Sequence, residues 1–275
     1  MKITAHTLIK NEQCWIWYAL LSVLDYVDEI MVWDTGSTDD TVALVQSIKS
    51  SKIKLKQITV KTPEDHTAAR QKMLQETDSD WIMILDGDEV WWSESLKSCV
   101  REIKDNPDIS AIISPFINVV GDIFHYQSSA SNHYQIGDYH GSYNLRFINR
   151  RIPGLHVGNP HGRQEYRNNL EVPLQKFPQS QLHFVDKPYL HTTHLQRSVT
   201  RQKDISTLKR DFKYRLEYGR NFPDDFVYPE VFYLPREKMI PDPFTKRSWS
   251  FEIKSLLLIP ARMAKRSFIS HKSGY

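Results

Sequence analysis

Cysteine is almost missing from this chain of 275 residues: only Cys14 and Cys99 occur, far apart. That excludes a disulfide framework and a cysteine-built zinc site, so both read as reduced packing thiols on predicted helices. No apolar run approaches the ~18 residues that a membrane-spanning helix needs. The opening Met1-Lys2-Ile3-Thr4-Ala5-His6 leads straight into a strand pattern rather than a secretory leader, so the cytoplasm is the expected compartment. Internal repeats and low-complexity tracts are absent too, which excludes a solenoid. Charge imbalance is small, at +3 overall, but unevenly placed. Arg236 to Lys272 holds nine Lys/Arg against three acids, leaving a net −3 for everything else. With the basic excess confined to the tail and no recognition motif present, nucleic acid is not an expected partner. A 40% hydrophobic and 25% charged composition is that of a globular protein of one large domain, or a domain with an appendage.

What is present first is an alternation. Ile3 to Ile9 reads as a strand, Cys14 to Val27 as a helix and Glu29 to Trp33 as a strand. A polar loop, Asp34-Thr35-Gly36-Ser37-Thr38-Asp39-Asp40-Thr41, follows, in which Ser37 or Thr38 is the expected cap of a helix from Thr41 to Ser50. Ile53 to Val60 is a third strand, Pro63 to about Thr77 a helix carrying Ala69 and Arg70, and Trp81 to Leu85 a fourth strand. A helix from Ser93 to about Lys104 and an apolar strand from Ile109 to Val120 complete the series. Such alternation is the signature of βαβ units, hence of a parallel sheet flanked by helices. From Gly121 it stops, and short aromatic strands, loops and histidines suggest an antiparallel or irregular layer over the end of that sheet. Gln196 to Tyr218 reads as a charged helix with Leu208, Phe212 and Leu216 at four-residue spacing. A proline-punctuated linker then leads to a basic amphipathic segment, Trp249 to Phe268.

The most informative stretch is Trp81-Ile-Met-Ile-Leu-Asp-Gly-Asp-Glu-Val-Trp-Trp92. Five apolar residues suit a strand buried on both faces, and it ends in Asp86-Gly87-Asp88-Glu89. Ligands of open α/β sheets collect outside the carboxyl ends of strands. Carboxylates there are costly unless a cation or hydrogen-bond donors meet them. Hard oxygen ligands at this spacing suit Mg²⁺ or Mn²⁺, and a plain acidic turn is the alternative reading.

Three strand ends now stand together: Lys10-Asn11-Glu12, Asp34-Thr35-Gly36-Ser37-Thr38-Asp39 and Asp86-Gly87-Asp88-Glu89, with Ala69-Arg70 on the intervening helix. In this order they resemble family 2 glycosyltransferases of the GT-A fold, closest to the lipopolysaccharide-core glucosyltransferase-like subset. The resemblance covers residues 1–125 well and 140–195 loosely. It implies a nucleotide-sugar half over 1–125, an acceptor half over 126–195 and, beyond the 1–195 transferase domain, a helical basic extension over 196–275. It implies that Thr7, Glu12 and Asp34 line the nucleoside pocket and that Arg70 meets base or phosphate. Asp86 would lie near ribose or metal, and Asp88 would bind Mn²⁺ or Mg²⁺, with His191 or His194 completing that site. The implied reaction is inverting transfer of a sugar from a nucleotide-diphosphate donor, UDP-linked in the first instance, to a glycan or lipid-linked acceptor.

The second half departs from the pattern. After Leu145-Arg146-Phe147, where the related subset has a His-Glu pair carrying the catalytic base, this chain has His161-Gly162. Glu165 is the nearest replacement and Asp138 the other candidate. The basic tail suits a peripheral contact with an anionic membrane surface, or packing against the catalytic domain. Two other readings compete. A non-catalytic sugar-nucleotide or glycan-binding protein on a degenerate transferase scaffold fits the lost His-Glu pair. A haloacid-dehalogenase-type phosphatase shares Asp-x-Asp, but there the first Asp follows the first core strand, not the fourth.

Overall fold

A computed structural model describes residues 1–128, 134–205, 207, 210, 213–260 and 272–273. The elements in chain order are β1 (Ile3–Ile9), α1 (Ile16–Val23), β2 (Glu29–Asp34), α2 (Thr41–Ser47), β3 (Ile53–Gln57), α3 (Pro63–Glu76), β4 (Trp81–Ile84), β5 (Glu89–Trp91) and α4 (Ser93–Asp105). They continue as β6 (Ala111–Val120), β7 (Asp122–Tyr126), β8 (Tyr134–Ile136), β9 (Tyr139–Gly141), β10 (Tyr143–Asn149), β11 (His156–Gly158) and β12 (Glu165–Arg167). They end with β13 (Leu182–Phe184), β14 (Tyr189–His191), α5 (Arg201–Ile205), β15 (Arg220–Asn221), α6 (Trp249–Leu257) and β16 (Lys272–Ser273), with three short 3-10 turns among the described residues.

Strands β3, β2, β1 and β4 lie side by side and parallel, as the alternation predicts. Every residue of β1 and β4 is buried, which explains their continuous apolar or neutral composition. The main core packs α1, α4 and the aromatic residues of 226–244 on one face of the sheet. The other face is covered by α3 and by the β10–β13 region. Thr62 opens α3 with a reciprocal capping box to Asp65, and Pro63 follows in the first turn, where a missing N–H costs nothing. The helix thereby buries Ala69 and Arg70 against the sheet.

Three expectations are corrected. The second half does not simply cover the sheet end: β10 inserts between β4 and β6, antiparallel to both. β6 therefore still runs in the direction of β4, but one strand away. Nor do Ser37 and Thr38 cap α2. The Ser37 hydroxyl turns back to Asp34, and the carboxylate of Asp39 accepts from the Thr41 amide instead. Finally, the charged helix expected from Gln196 to Tyr218 reduces, among the described residues, to the short α5 and a run of turns. Arg197, Asp204 and Arg210 are drawn inward to the strand ends rather than left on a solvated face; Leu208 and Phe212 fall outside the described residues.

Candidate active site

The carboxyl ends of β1, β2 and β4 open on one edge, and the segment following β14 crosses it. Between β4 and β5 the chain turns at Gly87, whose backbone passes so close to β1 that a Cβ there would stand 2.8 Å from Glu12 Cγ. This is a position only glycine fills without displacement. The turn delivers Asp86, Asp88 and Glu89 to the edge, and β5 then pairs with β14, setting His191 opposite Glu89. The amide of Thr192 donates to the carbonyl of Asp88 at 2.8 Å.

Four acids and four arginines meet here. Arg70, from α3, donates to Asp86 at 2.8 Å. Arg146, from β10, pairs with Glu89 and lies 3.7 Å from Asp86. Arg197 Nη1 is 2.6 Å from Asp88 Oδ2, while its Nε donates to Glu12 Oε2 at 2.7 Å and its Nη2 pairs with Glu12 Oε1. Arg210 donates to the same Glu12 oxygen at 2.6 Å and to the carbonyls of Lys10 and Asn11. Buried carboxylates survive only with such partners. Burial alone would raise Asp86, but Arg70 and then Arg146 outweigh it and hold the carboxyl down at about 2. Asp88 is likewise held well below its usual range, burial being overcome by Arg197 and then His191. For Glu89 burial wins over Arg146, and the carboxyl is pushed up to about 8.

The remaining predicted residues are placed as follows. Asp34 is fully buried, and its carboxylate accepts from the amides of Gly36 and Ser37 and from the Ser37 hydroxyl, closing its own loop. Thr7 is buried on β1, its hydroxyl without a hydrogen-bond partner among the described residues. Glu12 is inside the arginine cluster, not on an open pocket wall. His191 Nε2 stands 3.5 Å from Asp88 Oδ2. His194 donates from Nδ1 to the carbonyl of Lys213 at 2.8 Å, which leaves Nε2 as a lone-pair acceptor, buried and unpartnered among the described residues. Burial, then Arg215, keeps this imidazole neutral.

The two base candidates are not brought to the edge by any described contact. Glu165, on β12, is engaged by Asn159 at 2.8 Å and by Arg167. Asp138 is exposed in the turn between β8 and β9. The residue that β12 does turn inward is Tyr166, buried beside Arg70 and Asp86. Next to them, the rings of His66 and His161 lie against each other with centroids 4.0 Å apart and planes tilted by 38°. Burial, then Arg70, lowers His66 to about 2. Sequence reasoning missed Arg146, Tyr166, Arg197 and Arg210. The unbalanced acids at the strand ends were the signal that arginines had to come from somewhere.

A family model, glycosyl transferase family 2, matches residues 5–167, more than half of the chain. The chain belongs to that family. Its mixed α/β architecture, with a mostly parallel sheet flanked by helices, is the GT-A fold expected of the family. The chain is similar to the SPbeta prophage-derived glycosyltransferase SunS of Bacillus subtilis (strain 168), 31% identical over 118 residues. That match covers 42% of this chain and 27% of the relative. It is also similar to an uncharacterized glycosyltransferase of Rickettsia felis, 35% identical over 88 residues, 32% of this chain and 29% of the relative. The chain thus matches little more than a quarter of the length of these curated relatives. Among solved structures, S. aureus TarS 1-349 in complex with UDP-GlcNAc aligns with a TM-score of 0.49 at 15% identity, covering 76% of this chain and 62% of that one.

The family resemblance implies a divalent ion, and the side chains here do not fit one. Among the described residues no three His, Cys, Asp or Glu groups converge on one point. The carboxylate expected to bind an ion directly, Asp88, already has a guanidinium 2.6 Å away. Asp86 is turned to Arg70.

Proposed function

We propose that this member of family 2 transfers a sugar, with inversion, from a nucleoside-diphosphate sugar to a glycan or lipid-linked acceptor. UDP is the first nucleotide to test. The observation carrying the reading is the single polar edge at which β1, β2 and β4 end, rich in buried arginines where a diphosphate would lie. Oriented guanidinium groups recognise phosphate oxygens in pairs and keep their charge when desolvated. In this reading Thr7 and the Asp34 loop flank the base, while Arg70 and Asp86 face ribose or phosphate. His191 and His194 stand at the sugar end. Mg²⁺ or Mn²⁺ at Asp88 requires Arg197 to withdraw first, so no step is assigned to an ion. Residues 1–125 form the donor half and 126–195 the acceptor half. The 196–275 extension is not an appendage, since Arg197 and Arg210 complete the donor edge.

A lipid-linked acceptor is supported by α6. Ser248 caps it, Phe251 packs on the tight turn at Gly121, and Arg247 ties its start to Asp122 and Glu252. The opposite face exposes Trp249 (85%), Ile253, Leu256 and Leu257 (75%) at helical spacing, beside Lys254. That pattern suits the interface of an anionic bilayer. No helix among the described residues is long and apolar enough to cross one. The basic residues Arg262, Lys265 and Arg266 lie outside the described residues.

Calorimetric titration with UDP, GDP and CDP, followed by a donor-sugar turnover screen, tests the proposal. Nucleotide binding with turnover supports it; binding without turnover moves the binding-protein reading forward. One observation favours that second reading: neither Glu165 nor Asp138 contacts the donor edge.

A further inference from the structure

The position where a metal ion is expected beside Asp88 is filled from within the chain. Arg197 Nη1 stands 2.6 Å from Asp88 Oδ2, closer than His191 at 3.5 Å, and the same guanidinium grips both oxygens of Glu12. We propose that Arg197 is the cation of the donor site, so that the nucleoside diphosphate binds and departs without a divalent ion. This rests on the nucleotide-sugar reading above and specifies how that site handles charge.

Charge balance is the first support. Glu12, Asp86, Asp88 and Asp204, with Glu89 keeping its proton, face Arg70, Arg146, Arg197 and Arg210, and the ion pairs among them are all at buried or half-buried groups. A divalent ion would add two charges to a set already balanced, at a place where repulsion between cations is poorly screened. An ion bonded to Asp88 would also need the space that Nη1 occupies, and moving Arg197 away would strip Glu12 of one of its two partners.

The second support is that Arg197 is held rather than loosely resting there. Its carbonyl accepts from the Cys14 amide at 2.8 Å, and the carbonyl of Gln196 accepts from the Trp15 indole at 2.9 Å. Its own amide and that of Ser198 donate to Asp204, and the Ser198 hydroxyl donates to Asp39. The segment is thus fastened to both the β1 and β2 ends, and the guanidinium arrives preorganised. During transfer the bond between the anomeric carbon and the β-phosphate oxygen breaks, and its electron pair stays on that oxygen. The acceptor oxygen forms the new bond and passes its proton to a base. The added charge on the diphosphate is what Arg197 would meet.

The test is UDP, GDP and CDP binding by calorimetry in chelator and in added Mn²⁺, with Mn²⁺ binding read separately by electron paramagnetic resonance without nucleotide. We expect the wild-type affinity to change less than twofold between the two conditions and free Mn²⁺ to be left unbound. Arg197→Gln should weaken nucleotide binding at least tenfold in chelator, recover part of it in Mn²⁺, and gain a Mn²⁺ resonance that Asp88→Asn then removes. Wild-type binding that vanishes in chelator and returns with Mn²⁺ would overturn the proposal and leave the donor reading standing. If no nucleotide binds under either condition, the donor reading fails and the proposal with it. Should Arg197→Gln not fold, as circular dichroism would reveal, the two wild-type arms still decide.

Discussion

The sheet formed by β1 to β4 and the segment from Thr192 to Lys213 both reach the same crevice, yet they are held by different physics. The sheet's strands β1, β2 and β4 are regular, largely apolar and buried on both faces, with β3 as a half-exposed edge, and local pattern dictates them. Among its described residues the segment has only the short α5, and what fixes it is a set of polar and charged contacts to residues about 160 to 200 positions earlier, such as Glu12 to Arg197 and Asn11 to Arg210. Hydrophobic burial is non-directional and tolerates exchange of one aliphatic for another. A buried guanidinium between two carboxylates is directional, and removing one partner leaves the others exposed to the full desolvation cost.

The largest effects should come from breaking charge pairs on each side. Arg146→Ala, within the sheet, leaves Glu89 and Asp86 short of a partner and should cost about 3–5 kcal/mol in urea denaturation. Arg210→Ala should cost less globally but speed proteolysis between residues 196 and 215. Equal proteolysis in both variants would dissolve the distinction between sheet and crossing segment. Next, Ile82→Ala on the fully buried β4 should cost about 2–5 kcal/mol without altering proteolysis of that segment.

A smaller effect separates the regions by pH. His6 in β1, lowered to about 3 by burial and then by Arg70, and His66, lowered to about 2, stay neutral when folded but take a proton when unfolded below about pH 6.5. Stability therefore falls as pH drops from 7 to 5, by about 2 kcal/mol for each group. His6→Gln should flatten part of that slope. Glu89 acts in the other direction: its raised carboxyl keeps a proton in the folded state, so its contribution is lost as pH rises from about 4.5 to about 8. Glu89→Gln should remove that decline, most cleanly between about pH 7.5 and 8, where the histidines no longer titrate. Smallest of all, Trp249→Ala should leave stability within about 0.5 kcal/mol. Its expected effect is on co-sedimentation with anionic liposomes, which should drop; unchanged sedimentation would remove α6 as a membrane contact.

The regular region was legible in the sequence because its information is local. Strand ends at Asn11, Asp34 and Asp86 follow from apolar runs stopped by polar loops, and α3 announces itself through Thr62, Pro63 and Asp65. Insertion of β10 between β4 and β6 was not legible, since the pattern of β10 specifies a buried strand but not its neighbours. The crossing segment misled for a sharper reason. Four-residue spacing of Leu208, Phe212 and Leu216 is what an amphipathic helix shows, and no local pattern reveals that Arg197 and Arg210 have partners near Glu12. The acids at the strand ends were correctly read as needing a cation; the chain supplies arginines where an ion was expected. Gly162 stands in place of Glu after His161, and among the described residues neither Glu165 nor Asp138 has a contact with the donor edge.

Hydrogen–deuterium exchange with and without saturating nucleoside diphosphate tests most directly whether sheet and crossing segment build one donor site. The account predicts added protection in peptides covering 7–12, 34–39 and 86–89 together with 192–213. Protection in the strand-end peptides alone, or none in either, would contradict it.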